Sequence, residues 1–162
     1  FQLLLFGPPG FILKAVRTSS QQVDDRLNEH LAARGFRATS HREHVYHVLM
    51  AEADHPTAEQ VFLRAKKARP DISMATVYNC LEILVKSGLV REVQVDRTAM
   101  RYCPNMQAHG HFYCETCGAV LDVPFTHAAP ELPLALPKGL QVSAIEVSLR
   151  GICVQRSPRR AD

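Results

Sequence analysis

The ten residues from His109 to Gly118 constrain the chain most, because they combine two alternating imidazoles with a Cys-x-x-Cys pair. His109 and His111 would lie on one face of an extended strand, where both rings can approach a single ion. Cys114 and Cys117 flank a turn whose two thiolates suit the tetrahedral site that zinc prefers. Either half alone is a weak signal, since paired histidines are often solvated and paired cysteines can be redox-active or simply buried. Together they predict metal chemistry.

Length and composition allow a globular protein of one compact domain or two small ones. The chain has 162 residues, of which 46% are apolar, and this is enough for an ordinary core. A net charge of +3 and a pI near 8.7 permit nucleic-acid binding without requiring it. Five cysteines and eight histidines fit metal-bound thiolates in a reducing compartment better than a disulfide framework. We therefore expect a cytoplasmic protein.

The two ends of the chain differ in composition from the rest. Residues 1–20 form an unassigned N-terminal arm whose apolar run is interrupted by Gly7-Pro8-Pro9-Gly10, so the arm is too broken to span a bilayer as a helix. No initiator methionine is present, and we interpret the arm as vector-derived, upstream-translated or accessory. Residues 156–162 are charged and contain proline, which predicts a disordered tail. No membrane association is expected.

Apolar residues at helical spacing predict four amphipathic helices, over residues 21–33, 40–53, 57–68 and 74–87. Ser40 and Thr57 each stand three residues before a Glu or Gln, which is the spacing of a capping box. Ser73 is predicted to begin the fourth helix, and Gly88 occupies its C-terminal cap position.

The helices are followed by a predicted hairpin, with strands over 89–95 and 100–103. Short helices followed by a hairpin are typical of a winged helix, whose last helix enters the major groove while the wing touches phosphates. The alternative is a small helical bundle with a hairpin and no nucleic acid.

Further strands are predicted over 111–114 and 119–123, flanking the Cys-x-x-Cys turn, and over 140–149, where alternation is imperfect. The chain is therefore predicted to be α+β. A winged-helix DNA-binding domain would span 21–104, and a small α/β domain with metal ligands would span 105–155.

Several short segments carry a family resemblance. Residues 37–42 read Arg-Ala-Thr-Ser-His-Arg, residues 55–59 read His-Pro-Thr-Ala-Glu, and residues 75–79 read Ala-Thr-Val-Tyr-Asn. With the His-x-His-x-x-Cys-x-x-Cys-Gly run, they make about residues 27–153 similar to the ferric uptake regulator (Fur) superfamily of metal-dependent transcriptional repressors. The resemblance implies a non-catalytic homodimer, dimerised through the α/β domain, that binds palindromic, A·T-rich double-stranded DNA operators when its sensing site holds a metal.

The resemblance also implies a sensing site between the two domains, with the ligands His55, Cys103, His109, His111 and Asp122. A thiolate at Cys103 is similar to the zinc-uptake branch, and soft thiolates favour zinc. Asn79 and Asp122 are instead similar to the peroxide-responsive branch, whose iron site is oxidised. Zinc is therefore the favoured metal, with Fe(II) or Mn(II) as alternatives, and the signal is either metal or peroxide status.

The family's structural zinc uses two Cys-x-x-Cys pairs, and this chain departs from that pattern. Cys114 and Cys117 form the first pair, but the second is reduced to Cys153, with Arg156 in its partner's place. Three thiolates do not complete a closed structural zinc site without water or another side chain. We therefore expect a partial site at these three cysteines.

Six residues are candidate DNA contacts, partly through the resemblance: Arg37, Arg42, Thr76, Tyr78, Asn79 and Arg97. The three on the fourth helix could reach bases or sugars, and the arginines lie near helix starts and the wing, where phosphates are contacted. The alternatives are a partly buried aromatic at Tyr78 and a solvated charged face for the arginines.

Three other functions remain open. A zinc-dependent hydrolytic enzyme would need a glutamate base beside an open metal position, and Glu115 has no accompanying His-Glu-x-x-His arrangement. A zinc-ribbon interaction module would need the missing cysteine. Cys103-Pro104 could also bind haem through its thiolate, but nothing else nearby suggests a porphyrin cavity.

Overall fold

The computed structural model describes residues 19–52, 54–94, 99–126 and 135–153. Four helices precede five strands: α1 (Ser19–Ala33), α2 (Ser40–Ala51), α3 (Ala58–Ala68), α4 (Met74–Lys86), β1 (Arg91–Val93), β2 (Arg101–Cys103), β3 (His109–Cys114), β4 (Val120–Pro124) and β5 (Ser148–Gly151). The predicted α+β class is confirmed. Arg97, the predicted tail and all but the last two residues of the predicted arm lie outside the described residues.

Side-chain caps fix where the helices begin. Thr57 and Gln60 form the predicted capping box of α3, in which each side chain accepts a hydrogen bond from the other's backbone N–H. The Ser73 hydroxyl accepts from the Thr76 N–H at 3.1 Å, as predicted for α4. The prediction that Ser40 caps α2 is wrong, because Thr39 is the extended residue whose side chain accepts from the helix, and Ser40 is already helical.

The core lies among the four helices. Their inward-facing side chains are fully buried, namely Leu27, Leu31, Val45, Tyr46, Leu49, Val61, Val77, Leu81 and Leu84. Each buried aliphatic side chain contributes about 1.5–3 kcal/mol relative to an exposed one. The outward faces of α2 and α4 take no part in this core.

The hairpin is shorter than predicted. β1 pairs antiparallel with β2, with Arg91 opposite Cys103 and Val93 opposite Arg101. Leu89 and Val90 were expected in the first strand, but they are buried in the helical core directly after the Gly88 turn, where φ is +71°. Their apolar character therefore reflects packing under α4 rather than pairing in the wing.

The second sheet has the strand order β4-β3-β5, with β3 antiparallel to β4 and parallel to β5. The predicted third strand of this sheet is present, but its predicted bounds, 140–149, are wrong, because pairing begins only at Ser148, opposite His111. Residues 140–146 are all exposed, so their partial alternation does not mark a buried sheet face.

Gly110 allows the segment that leads into β5 to approach β3 closely. A Cβ at Gly110 would lie 3.0 Å from the Val147 carbonyl oxygen, the same oxygen that accepts a hydrogen bond from the His111 N–H at 2.9 Å. The glycine between the two histidines therefore keeps the sheet joined beside them.

Among the described residues, no helix has both the length and the apolar character needed to cross a bilayer.

We predict that Ser73→Ala lowers the free energy of unfolding by about 1 kcal/mol, because the Thr76 N–H loses its capping acceptor. Ser73→Asp should retain most of the stability, since a carboxylate can accept the same hydrogen bond. Urea denaturation of the three proteins measures the difference. Equal midpoints for wild type and Ser73→Ala would contradict the assignment of the cap.

Candidate metal centre

Five side chains from both halves of the chain converge on one point. They are the predicted sensing residues, and one ligand atom from each lies within 4.8 Å of all the others: His55, Cys103, His109, His111 and Asp122. The loop before α3 supplies the first, β2 the second, β3 the next two and β4 the last. The pairing of His111 with Asp122 in the β3–β4 register places two of them side by side.

One carboxylate oxygen is common to the three imidazoles. Asp122 Oδ1 lies 2.7 Å from His55 Nε2, 3.2 Å from His109 Nε2 and 3.9 Å from His111 Nε2. The other oxygen, Oδ2, accepts a hydrogen bond from Asn105 Nδ2 at 2.6 Å. Asn105 therefore orients the carboxylate and leaves Oδ1 directed at the cluster.

The tautomer of His109 follows from its outer contact. Its Nδ1 lies 2.7 Å from the Gln107 carbonyl oxygen, which can only accept, so Nδ1 carries the proton and Nε2 carries a lone pair. That Nε2 lies 2.9 Å from His111 Nε2 and 3.5 Å from Cys103 Sγ. A ring fixed by an outer carbonyl with its lone pair turned inward is the usual arrangement of a metal-binding histidine.

His55 is held in an unusual backbone conformation. It is 1% exposed, and at φ 55° it is the one positive-φ residue other than glycine in the described ranges, although it precedes a proline that favours extended backbone. Neither of its ring nitrogens makes a well-angled hydrogen bond. Buried imidazole nitrogens without such partners fit a ligand role, because a cation would satisfy one of them.

Two residues of β2 hold the His55 loop in place, and one of them, Arg101, also reaches the turn between β3 and β4. Arg101 Nη1 donates to the His55 carbonyl oxygen at 3.1 Å, and Nη2 donates to the Gly118 carbonyl oxygen at 3.4 Å. The Tyr102 N–H donates to the Pro56 carbonyl oxygen at 3.0 Å. The position of His55 is therefore set by the wing as well as by its own loop.

Burial favours the neutral form of two of the imidazoles, His55 and His111. It lowers the pKa of His55, and together with the neighbouring His55 and His109 it lowers the pKa of His111 to about 4. Burial also raises the pKa of the Cys103 thiol to about 11. For Asp122, burial acts to raise the pKa, but the Asn105 hydrogen bond and the three histidines outweigh it and the pKa is lowered.

These protonation states suit a metal. The neutral rings of His55 and His111 and the ionised carboxylate of Asp122 can bind a metal without losing a proton, and a cation would displace the thiol proton of Cys103. Three nitrogens, one oxygen and one sulfur match the ligands of zinc, and the histidine–carboxylate part alone also suits iron or manganese. The donor set and the buried His55 ring therefore fit a divalent transition metal.

The three predicted thiols form a second cluster. The Sγ atoms of Cys114, Cys117 and Cys153 lie within 4.8 Å of one another, with Cys117 and Cys153 3.5 Å apart. A contact with Thr116, followed by the backbone N–H groups of Cys153 and Cys117, lowers the pKa of Cys114 to about 5. The two neighbouring thiols raise the pKa of Cys153 to about 11.

The side chains predicted to contact DNA differ in exposure and in whether their polar groups are already hydrogen-bonded. Tyr78 is 54% exposed, and Arg37 and Asn79 are exposed as well. Arg42 is half-buried and donates to the Arg37 carbonyl oxygen, which leaves its guanidinium beside the start of α2. Thr76 is a weaker candidate than its sequence position indicates, because its hydroxyl is paired with Ser73 at 2.8 Å in the α4 cap. Arg97 cannot be placed.

Sequence reasoning missed Asn105 and Arg101. Neither belongs to a ligand motif, and each acts through a neighbour, by orienting Asp122 or by holding the His55 carbonyl. The alternation of β2 was the available signal for Arg101, because it places this side chain on the strand face opposite Tyr102.

We predict that Asn105→Ala weakens metal binding at this cluster about 10–100-fold, since the ligating carboxylate loses its orienting hydrogen bond. Competitive titration with a chromophoric chelator measures the affinity. Gln107→Ala is the matched control, because the Gln107 side chain is exposed and the contact with His109 is made by the backbone carbonyl oxygen, which alanine retains. Equal affinities for wild type and Asn105→Ala would contradict the role.

We predict that the metal-free protein loses stability as pH falls from about 6.5 to about 4. Burial lowers the pKa of His111 to about 4 in the folded protein, below its ordinary value of 6.5, so the unfolded state binds more protons across this window and the free energy of unfolding decreases as the pH falls. The loss from His111 amounts to at most about 3 kcal/mol. His111→Gln should show a shallower pH dependence by chemical denaturation, and an unchanged slope would contradict the shift.

Comparison with known proteins identifies a family and a relative that this chain resembles. The model of the ferric uptake regulator family matches residues 33–148. The peroxide-responsive repressor PerR of Staphylococcus epidermidis is 31% identical over 105 residues, which is 63% of this chain and 70% of the repressor. The zinc-hydrolase alternative is excluded, because the family consists of transcriptional regulators.

Solved structures share the fold. The ferric uptake regulator of Helicobacter pylori aligns with a TM-score of 0.63 at 18% identity, over 86% of this chain and 96% of that one. The regulator of Pseudomonas aeruginosa, solved with manganese, aligns with a TM-score of 0.60 at 24% identity, over 79% and 98%. With the family model matching most of its length, the chain belongs to the ferric uptake regulator family.

Proposed function

We propose that this protein is a metal-dependent, sequence-specific DNA-binding repressor whose interdomain cluster senses metal or peroxide status. Membership of the family supports a metal-responsive transcriptional repressor. The proposal that the cluster is a sensing site rests on one observation. His55, from the loop before α3, lies with its Nε2 2.7 Å from Asp122 Oδ1 in the second sheet.

A metal at this cluster would couple binding to domain orientation. Ligands from the helical domain and from β3 and β4 can meet one ion only when the two domains adopt one relative angle. Shifting a two-state equilibrium from 1:99 to 99:1 needs about 5.5 kcal/mol of differential binding. Structural zinc sites reach about 10–16 kcal/mol, so the shift requires the open arrangement to forfeit roughly a third to a half of a binding free energy of that size.

The metal-bound arrangement would present α4 to DNA. Tyr78 and Asn79 are exposed on this helix, where they can contact bases or sugars in the major groove. Arg37 and Arg42 suit phosphates beside the start of α2, and Arg97 suits them at the wing. In a dimer, two such helices would read the half-sites of a palindromic, A·T-rich operator.

The partner in that dimer would be a second copy of the chain. Large apolar side chains are exposed along the last part of the described structure, including Leu140 at 61% and Ile152 at 66%. β5 is also the edge strand of its sheet, and an uncovered apolar edge of this kind is what a subunit interface buries. We place this dimer in the cytoplasm, where operators are.

The metal is proposed to be zinc because of Cys103. This thiol is fully buried and 3.5 Å from His109, and a thiolate in the ligand set favours zinc over Fe(II) or Mn(II). The second candidate is a peroxide-responsive iron or manganese form, since the cluster also holds three histidines and a carboxylate and the Staphylococcus epidermidis relative is peroxide-responsive.

We predict that zinc restores operator binding to the stripped protein and that Cys103→Ser weakens this zinc response at least about tenfold, because the soft ligand is lost. Cys103→Asp should shift the preferred activating metal towards Fe(II) or Mn(II). Fluorescence anisotropy with a palindromic operator measures both effects. Cys80→Ser is the control, since Cys80 lies in the helical core, away from the cluster.

Two results would overturn parts of the proposal. Operator binding that is indifferent to every metal would contradict metal-dependent repression. Restoration by Fe(II) but not by zinc, followed by release on addition of peroxide, would replace the zinc assignment with the peroxide-responsive one.

A further inference from the structure

The three-cysteine cluster is ready to bind one ion. Its sulfurs lie within 4.8 Å of one another, and the closest pair is 3.5 Å apart. In a tetrahedral zinc thiolate site with bonds of about 2.3 Å, neighbouring sulfurs are about 3.8 Å apart. The observed spacing spans that value, so only small side-chain adjustments would close the three sulfurs on zinc.

Backbone hydrogen bonds hold this arrangement in place. The Gly118 N–H donates to the Cys114 carbonyl oxygen at 2.9 Å and closes the turn. The Glu115 N–H donates to the Gly151 carbonyl oxygen at 2.8 Å and ties the turn to the end of β5. The Cys153 N–H donates to Cys114 Sγ at 3.3 Å. The thiols therefore meet because the sheet positions them.

The closed four-cysteine zinc site of the family does not fit this chain. Among the described residues, no other histidine, cysteine or carboxylate joins the three sulfurs. The position three residues after Cys153, where a second pair would be completed, is Arg156, and a guanidinium has no lone pair to offer a metal at neutral pH.

The side of the cluster without a fourth ligand faces solvent. Cys114 is fully buried at the base of the turn, whereas Glu115, Thr116 and Cys117 are exposed. A metal held by the three sulfurs would therefore be reachable by small molecules from solution. Zinc sites with three protein ligands complete their coordination with such a molecule.

We propose that Cys114, Cys117 and Cys153 form an open zinc site whose fourth ligand comes from solution, a water that a small thiolate replaces. The site is exchangeable rather than a permanent structural centre. Soft monodentate thiolates are its preferred ligand class, because three thiolates already make the metal environment soft.

The test isolates this site and then closes it. In protein carrying Cys103→Ser and His111→Ala, which removes the thiol and one histidine of the other cluster, cobalt is loaded as a spectroscopic substitute for zinc. Adding 2-mercaptoethanol should shift the cobalt–thiolate absorption. Arg156→Cys supplies a fourth thiolate and should abolish the shift, whereas Arg156→Ser, the matched control, should leave it.

Zinc release to a chelator provides a second readout. It should be at least about tenfold slower in Arg156→Cys than in the parent or in Arg156→Ser, because a fourth protein ligand must dissociate. Four sulfur ligands in the parent by X-ray absorption, no response to the thiol, or equal release rates in all three proteins would each overturn the proposal. None of these readouts involves DNA, so they are independent of the proposed repressor function.

Discussion

The arrangement of the molecule depends on one buried imidazole that crosses from the helical domain to the second sheet. His55 is almost completely buried, with a strained positive φ and no well-angled hydrogen bond to its ring. Backbone strain of this kind costs about 1–3 kcal/mol. A cation shared with Asp122 and the β3 histidines would help to offset that cost. Under the proposed function, metal occupancy at this cluster would therefore favour one arrangement of the helical part and the second sheet.

The two thiol-containing clusters differ in how they are completed. The cluster around Asp122 draws ligands from both domains and is largely enclosed, whereas the three cysteines come from the second sheet alone and one of them is exposed. Arg101 spans the distance between them, from the His55 carbonyl oxygen to the Gly118 carbonyl oxygen beside Cys117. Any shift of the Cys-x-x-Cys turn therefore acts on the residue that holds His55.

Much of the candidate site could be predicted because its ligands occur in short motifs. The His-x-His spacing placed two rings on one strand face, and the family resemblance supplied His55, Cys103 and Asp122, which the structure brings together. Asn105 and Arg101 could not be predicted, because their roles depend on a carboxylate and a carbonyl that only the folded chain brings near. The start of the last strand was misplaced, since the exposed apolar residues in 140–146 alternate without pairing. The N-cap of α2 was misplaced by one residue because Thr39 and Ser40 can both cap a helix.

The most direct test of the account is the distance between the two domains with and without metal. Spin labels introduced at exposed Glu82 in α4 and exposed Pro124 in β4 would report this distance by pulsed electron paramagnetic resonance. The account predicts a broad distribution in the stripped protein that narrows to a single distance when metal is added, and that stays broad in a His55→Ala variant. A distribution that is equally narrow before and after metal would contradict the claim that His55 couples metal binding to domain orientation.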